Sequence, residues 1–140
     1  MKKIILCDID GTVANNDHRQ HFLEGKKDWD GFFDSLNMDK PIYKIINKVI
    51  EEHKNNKKII FLTGRPERYR LSTTEWLHNY FNFEITMLMR SDDDKRDKLS
   101  IKKELFENNF KKEEIDYIIE NDIALIEMWK SYDLKILDAS

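Results

Sequence analysis

The sequence predicts an α/β fold, a mostly parallel sheet with helices on its faces, on two observations. Short apolar runs of strand type recur at Ile4 to Cys7, Ile59 to Leu62, Ile85 to Met89, Tyr117 to Ile119 and Lys135 to Leu137. Helical patterns lie between them, the alternation expected when successive strands run the same way.

The first strand delivers Asp8-Ile9-Asp10-Gly11-Thr12. Strand side chains alternate with period two, so Asp8 and Asp10 emerge on one side, and Gly11 lets the chain turn sharply after them. Two crowded carboxylates repel unless a cation neutralises them, and oxygen ligands at this spacing suit Mg²⁺. Cys7, adjacent to Asp8, is expected to point the other way into the core. The segment from Val13 to Lys40 is long for a connection and holds His18, Arg19, Trp29, Phe32 and Phe33. Within it, Trp29-Asp30-Gly31-Phe32-Phe33 reads as a short helix packing aromatics over the sheet edge.

A clear helix follows Pro41, where Ile42, Ile45, Ile46, Val49 and Ile50 recur at i, i+3, i+4, i+7 and i+8, and it ends at Asn55-Asn56. The strand after it leads to Thr63-Gly64-Arg65 and a helix from Glu67 to about Tyr80. There the Thr63 hydroxyl and turn N–H groups suit a phosphate at a helix start, and Arg65 offers a planar fork; the plainer alternative is a Thr63 cap beside a surface arginine. The third strand leads to Arg90 and a polar run, then a helix from Lys98 to about Asn109. Lys98, Lys102 and Lys103 all lie on it, and composition alone does not choose among them. The fourth strand ends in Glu120-Asn121-Asp122, which either presents an oxygen opposite Asp8 or caps the helix from Ile123 to about Ser131. Ligands of open α/β sheets bind beyond the strands' C-terminal ends, and these four ends all carry polar groups.

At 140 residues the chain reads as a single domain, 1–140, with 13–40 as a small cap or loop insertion. The 24 basic and 27 acidic residues give a net charge of −3, so there is no global basic signal for nucleic acid. One cysteine excludes an internal disulfide framework. With no apolar run long enough for a signal peptide or membrane span, the expectation is a cytoplasmic protein without a membrane partner. No Gly-x-x-x-x-Gly-Lys-Ser/Thr loop of a kinase occurs.

Taken in order, Asp8-x-Asp10-Gly11-Thr12, Thr63-Gly64-Arg65, Lys102 and the cluster at Glu120 resemble the haloacid dehalogenase (HAD) phosphohydrolase superfamily over essentially the whole chain. Arg19, Thr73-x-x-Trp76-Leu77, Met89-Arg90 with Asp94-x-Arg96, and Glu127-Met128-Trp129 narrow the resemblance to 3′-phosphatase domains of the bacteriophage polynucleotide kinase/phosphatase type. The resemblance implies a Rossmann-like three-layer sandwich with a central five-stranded sheet and a minimal cap. It implies an Asp8 nucleophile, Asp10 as acid and base, and Thr63 with Lys102 (rather than Lys98 or Lys103) holding the transferring group. Arg19, Gly64 and Arg65 would contact the substrate, a phosphorylated nucleic acid end or a nucleotide. Mg²⁺ would sit on the Asp8 carboxylate, the Asp10 carbonyl and Asn121, with Glu120 and Asp122 as alternatives, and a separate kinase or ligase is an expected partner. The chain departs from the family in having Glu120-Asn121 for a pair of aspartates, and Lys98 for an acidic residue four before the lysine, with Asp97 one place away. A nucleotidase or other small-molecule phosphatase, and a weakly active phosphate-binding regulatory module, are the rival functions.

Overall fold

The computed structural model describes residues 2–140. In chain order the elements are β1 (Ile4–Cys7), β2 (Ala14–Asn15), α1 (Trp29–Asp34), β3 (Lys40–Pro41), α2 (Tyr43–Lys54), β4 (Lys58–Pro66), α3 (Arg70–His78), β5 (Met87–Arg90), α4 (Lys98–Asn109), β6 (Ile115–Glu120), α5 (Ile123–Ser131) and β7 (Ile136–Asp138). Five of the strands form one sheet in the order β5-β4-β1-β6-β7, and all its pairs are parallel. The fold is thus α/β in three layers, with β1 at the centre.

The alternation along β1 divides the core. Ile5 and Cys7 face one apolar layer with Ile45, Ile46 and Val49 of α2 and Trp76 and Leu77 of α3. Ile4 and Leu6 face the other, with Phe106 of α4 and Leu125 and Trp129 of α5. A strand buried on both faces must be apolar throughout, as Ile4 to Cys7 is. Cys7 is fully buried in the first layer, and that burial pushes its thiol pKa up.

β4 departs from the expected strand. It runs through Thr63, Gly64 and Arg65 to Pro66, and α3 begins only at Arg70, after a 3₁₀ turn over Glu67–Tyr69. Thr63-Gly64 is therefore not a turn opening a helix. The cause is Pro66, whose φ is −66° and ψ 148°, and which keeps the residue before it out of the helical region. β5 is likewise displaced from the expected run: Ile85 lies outside it and Arg90 inside it.

β2 and β3 pair antiparallel through Ala14 with Pro41 and Asn15 with Lys40, tying together the two ends of an insertion. The insertion carries a 3₁₀ segment over Asp17–Leu23, then α1, then a 3₁₀ turn over Leu36–Met38. The short helix expected over the Trp29 to Phe33 stretch is α1. Trp29, Phe32 and Phe33 line the cleft beyond the C-terminal end of β1, the same cleft that Asp8 enters.

Candidate active site

The cleft has a volume of about 360 Å³, room for a nucleotide-sized group, and draws on the ends of β1, β4, β5 and β6 and the start of α4. A larger cleft of about 520 Å³ lies behind α1, but its charged lining is Asp34 and Glu75, which repel phosphate.

Two charge clusters form the floor. In the first, Lys102 reaches from the buried face of α4, its ammonium donating to Asp8 Oδ1 at 2.7 Å and Glu120 Oε1 at 3.1 Å. Lys98 instead pairs with Asp122 and Lys103 is exposed, so among the three lysines the fold brings Lys102 to Asp8. Asp97 caps α4 by accepting from the Ser100 N–H at 2.9 Å. One ammonium between two buried carboxylates leaves this cluster a net charge short. Burial, together with the Glu120 charge, accordingly raises the Asp8 carboxyl to about 8 against the pull of Lys102.

In the second cluster two arginines meet two aspartates. Arg19 Nη2 donates to Asp10 Oδ1 at 2.6 Å and to Asp39 Oδ2 at 2.7 Å; Arg65 Nη2 donates to the same two oxygens at 2.8 and 3.2 Å. Arg65 also reaches Asp10 Oδ2 through Nε at 3.2 Å and Thr73 Oγ1 through Nη1 at 3.1 Å, while Arg19 Nε binds Asp39 Oδ1 at 2.8 Å. Burial works to raise Asp10, but Arg65 and then Arg19 outweigh it and hold its carboxyl at about 2. Asp10 is therefore an ionised, fixed carboxylate ready to accept a proton.

The turn after the aspartates is shaped for close approach. Gly11 has φ +80°, and a Cβ there would lie 2.3 Å from Asn121 Nδ2, so any side chain would displace Asn121. The Thr12 hydroxyl lies 3.0 Å from Asp8 Oδ2 and 3.1 Å from Asn121 Oδ1. A hydroxyl has one proton, so these two acceptors cannot both be satisfied by it. The Asp10 carbonyl also receives no hydrogen bond within the described residues. Asp8 Oδ2, the Asn121 amide oxygen and the Asp10 carbonyl are thus hard oxygen donors beside a cluster with two carboxylates to one ammonium, and this set fits Mg²⁺. Glu120 does not point that way: its oxygens take Lys102 and the N–H groups of Asn121 (3.1 Å) and Asp122 (3.4 Å). Asp122 caps α5 through the Leu125 N–H at 3.1 Å.

Asp8, Asp10, Gly64, Arg65, Lys102 and Asn121 all border the cleft. Arg19 and Arg65 are 0% and 1% exposed and are occupied by carboxylates rather than turned toward a ligand. Thr63 is buried, with its hydroxyl accepting from the Arg65 N–H at 3.1 Å, which leaves the O–H to donate. Sequence reasoning missed Asp39, whose side chain is fully enclosed between the arginines, because it lies far along the chain from both partners. Arg90, which the sequence places at a strand's C-terminal end without a role of its own, lines the cleft and braces Gly64 by donating to its carbonyl at 2.8 Å.

The polynucleotide kinase PNKP phosphatase domain family matches residues 2–140. The chain belongs to that family. It is a phosphatase domain of HAD type. Two solved structures, of the Pnkp1/Rnl/Hen1 complex and of the Pnkp1/Rnl/Hen1 RNA repair complex, contain similar chains, each at 23% identity and a TM-score of 0.81 over 99% of this chain. This chain spans 46% and 42% of those chains, under half of their length. A class C acid phosphatase from Bacillus anthracis with tungstate bound is similar at 15% identity and a TM-score of 0.64, over 99% of this chain and 66% of that one. At these identities the likeness is one of fold. No curated protein matches the chain. No helix among the described residues is long and apolar enough to cross a membrane.

Proposed function

We propose that this domain is a Mg²⁺-dependent phosphohydrolase that works through an aspartyl-phosphate and removes the 3′-phosphate from polynucleotide ends. One observation carries the reading: two carboxylates at one strand end are held by separate partners, Asp8 by Lys102 and Asp10 by Arg19 and Arg65. Asp10 first takes up the proton that the Asp8 carboxyl must lose to become nucleophilic; Asp8 then attacks phosphorus in line, and the bond to the 3′ oxygen breaks as that oxygen takes this proton from Asp10. Asp10 then takes a proton from water, which attacks the acyl phosphate, and Asp8 and inorganic phosphate are released. Lys102 and the Thr63 hydroxyl hold the transferring oxygens, while Arg19 and Arg65 act through Asp10 by fixing its orientation. The Asp8 carboxylate, the Asp10 carbonyl and Asn121 would hold Mg²⁺, which when bound supplies charge neutralisation between nucleophile and phosphate.

Family membership and the likeness to chains of an RNA repair complex support a nucleic acid end as the substrate, and we read any kinase and ligase steps as lying outside this domain, in the cytoplasm. The test is a panel with Mg²⁺: 3′-phosphorylated DNA and RNA oligonucleotides, free 3′-mononucleotides and glycerol phosphate. Higher kcat/KM on the oligonucleotides supports the reading, and equal or higher rates on mononucleotides overturn it in favour of a nucleotidase. Asp8→Asn should abolish turnover of every ester while its far-UV circular dichroism and melting stay native. Activity persisting in that variant removes Asp8 as nucleophile.

A further inference from the structure

Trp29 packs on Phe32 and Phe33 yet leaves about half of its surface in solvent. It is 48% exposed, whereas Trp76 and Trp129 are 4% and 0% exposed in the core, and its ring borders the cleft that holds Asp8. Leaving so large an apolar surface in water is unfavourable unless something covers it.

Its surroundings indicate what that is. Trp29 is the outer member of a row of rings: it stacks on Phe33 at 6.0 Å and 23°, and Phe33 lies 5.3 Å and 32° from Tyr69. Cations bracket the row, the Lys27 ammonium 5.7 Å from the Trp29 ring and the Arg68 guanidinium 5.0 Å from Tyr69. The row is also tied to the chemistry. Trp29 meets Phe32 edge-on at 5.8 Å, the Arg19 guanidinium lies 4.3 Å over Phe32, and Arg19 holds Asp10. The turn beneath it is tight: Asp28 accepts from the Gly31 N–H at 2.9 Å, and a Cβ at Gly31 would come within 2.5 Å of the Asp28 carboxylate and 2.7 Å of Phe22. A flat apolar face is therefore held in the cleft that Asp8 enters, with an exposed lysine beside it.

We propose that Trp29 is the stacking platform for the base of the 3′-terminal nucleotide, and that Lys27 leaves the indole face to contact the adjoining phosphodiester. This rests on the polynucleotide reading above and deepens it. A nucleic acid strand alternates aromatic planes with anionic linkages at the spacing of one residue, which is what an exposed indole beside a lysine complements. Every base has a π-face, so the contact recognises a terminal nucleotide without selecting its sequence.

The experiment compares two oligonucleotides that differ only at the 3′-phosphorylated end, one carrying a base and one abasic. The native protein should favour the base-bearing end about 10- to 100-fold in kcat/KM, the range that one base–aromatic stack supports. Trp29→Ala should erase that ratio and Trp29→Phe should keep most of it. A ratio that survives Trp29→Ala, or a native protein indifferent to the base, overturns the platform while leaving the 3′-phosphatase reading intact. A native protein that hydrolyses glycerol phosphate but neither oligonucleotide overturns the 3′-phosphatase reading, and the platform with it. A second measurement avoids dependence on turnover or on the alanine variant folding. In Asp8→Asn the base-bearing oligonucleotide should quench tryptophan fluorescence more than the abasic one, and Asp8→Asn with Trp29→Phe should lose the difference. Equal quenching by both ends contradicts the proposal.

Discussion

Asp8 and Asp10 share their chemistry and nearly their position, yet their surroundings drive them apart. Around Asp8, burial and the Glu120 charge push in one direction and Lys102 alone resists, giving about 8; around Asp10, Arg65 and Arg19 overcome burial and give about 2. With Lys102 alone against two carboxylates, Asp8 holds a proton at neutral pH when no cation is present, and a divalent cation that replaces this proton is most favourable here. Asn121 sets how strongly. It supplies a neutral amide oxygen 3.1 Å from the Thr12 hydroxyl that also contacts Asp8. Asn121→Asp adds a second anionic oxygen at that wall, so the Mg²⁺ concentration for half-maximal activity should fall several-fold. Without metal the same change crowds another charge against Asp8, and the melting temperature in EDTA should drop. A variant inactive at every Mg²⁺ concentration would show that the amide N–H₂ of Asn121 is needed for something other than ligation.

At the scale of elements, the sheet is fastened to α2 at the end opposite the cleft. The Tyr117 phenol of β6 donates to the carboxylate of Glu52 on α2, and Lys57 pairs with Asp116 at 2.9 Å beside it. Burial, then the Glu52 hydrogen bond and charge, raise the Tyr117 pKa above its usual 10.0. A raised pKa means that folding favours the protonated phenol, so its contribution is fully present below pH 10 and is lost as pH climbs beyond it. Tyr117→Phe removes the donor to Glu52 Oε2 and leaves the buried carboxylate only the long 3.4 Å bond from Asn55 Nδ2, which should cost about 1–3 kcal/mol at pH 7. It should also flatten the fall in stability above pH 10, as urea midpoints between pH 7 and 11 would register. An unchanged midpoint at pH 7 would mean that water serves Glu52 as well as the phenol does. Such fastenings were not legible in the sequence, since the helical spacing of Ile42 to Ile50 does not single out Glu52. What was legible had short-range causes: the continuous apolar run Ile4 to Cys7, the helical spacing from Ile42 to Ile50, and the strand ends bearing Asp8, Asp10 and Glu120. The misreading at Thr63-Gly64 came from treating a glycine as a turn when Pro66 was the stronger local constraint. Arg19 and Arg65 looked like substrate contacts because nothing nearby in sequence announces Asp39, the group that claims both.

For the molecule as a whole, Asp39 decides whether the insertion and the sheet behave as one body. The insertion closes on the core through few polar links, and several pass through this residue: its carboxylate binds Arg19 of the insertion and Arg65 of β4, while its carbonyl accepts from Trp76 Nε1 of α3 at 3.0 Å. The peripheral links, Arg68 with Asp30 at 3.1 Å and Tyr69 with Asp34 at 3.1 Å, are exposed and contribute little. Removing the Asp39 carboxylate leaves two buried guanidinium groups sharing Asp10 as their remaining carboxylate, with neutral acceptors at Thr73 and the Phe32 carbonyl. By the usual cost of breaking a buried pair, Asp39→Ala should lose about 3–5 kcal/mol of stability, and the isosteric Asp39→Asn somewhat less. The functional consequence follows from Asp10, which those arginines orient. A displacement of its carboxylate by about an ångström suffices to lower kcat about 100-fold, while KM for a small ester, set mainly by Lys102 and the cleft walls, should change little. The insertion itself should loosen, so limited proteolysis of Asp39→Asn under native conditions should cut within residues 16–38 before the sheet unfolds. If the variant instead resists protease as the native protein does and loses activity through KM alone, the arginine–aspartate cluster is a substrate contact rather than the joint that holds Asp10 in line.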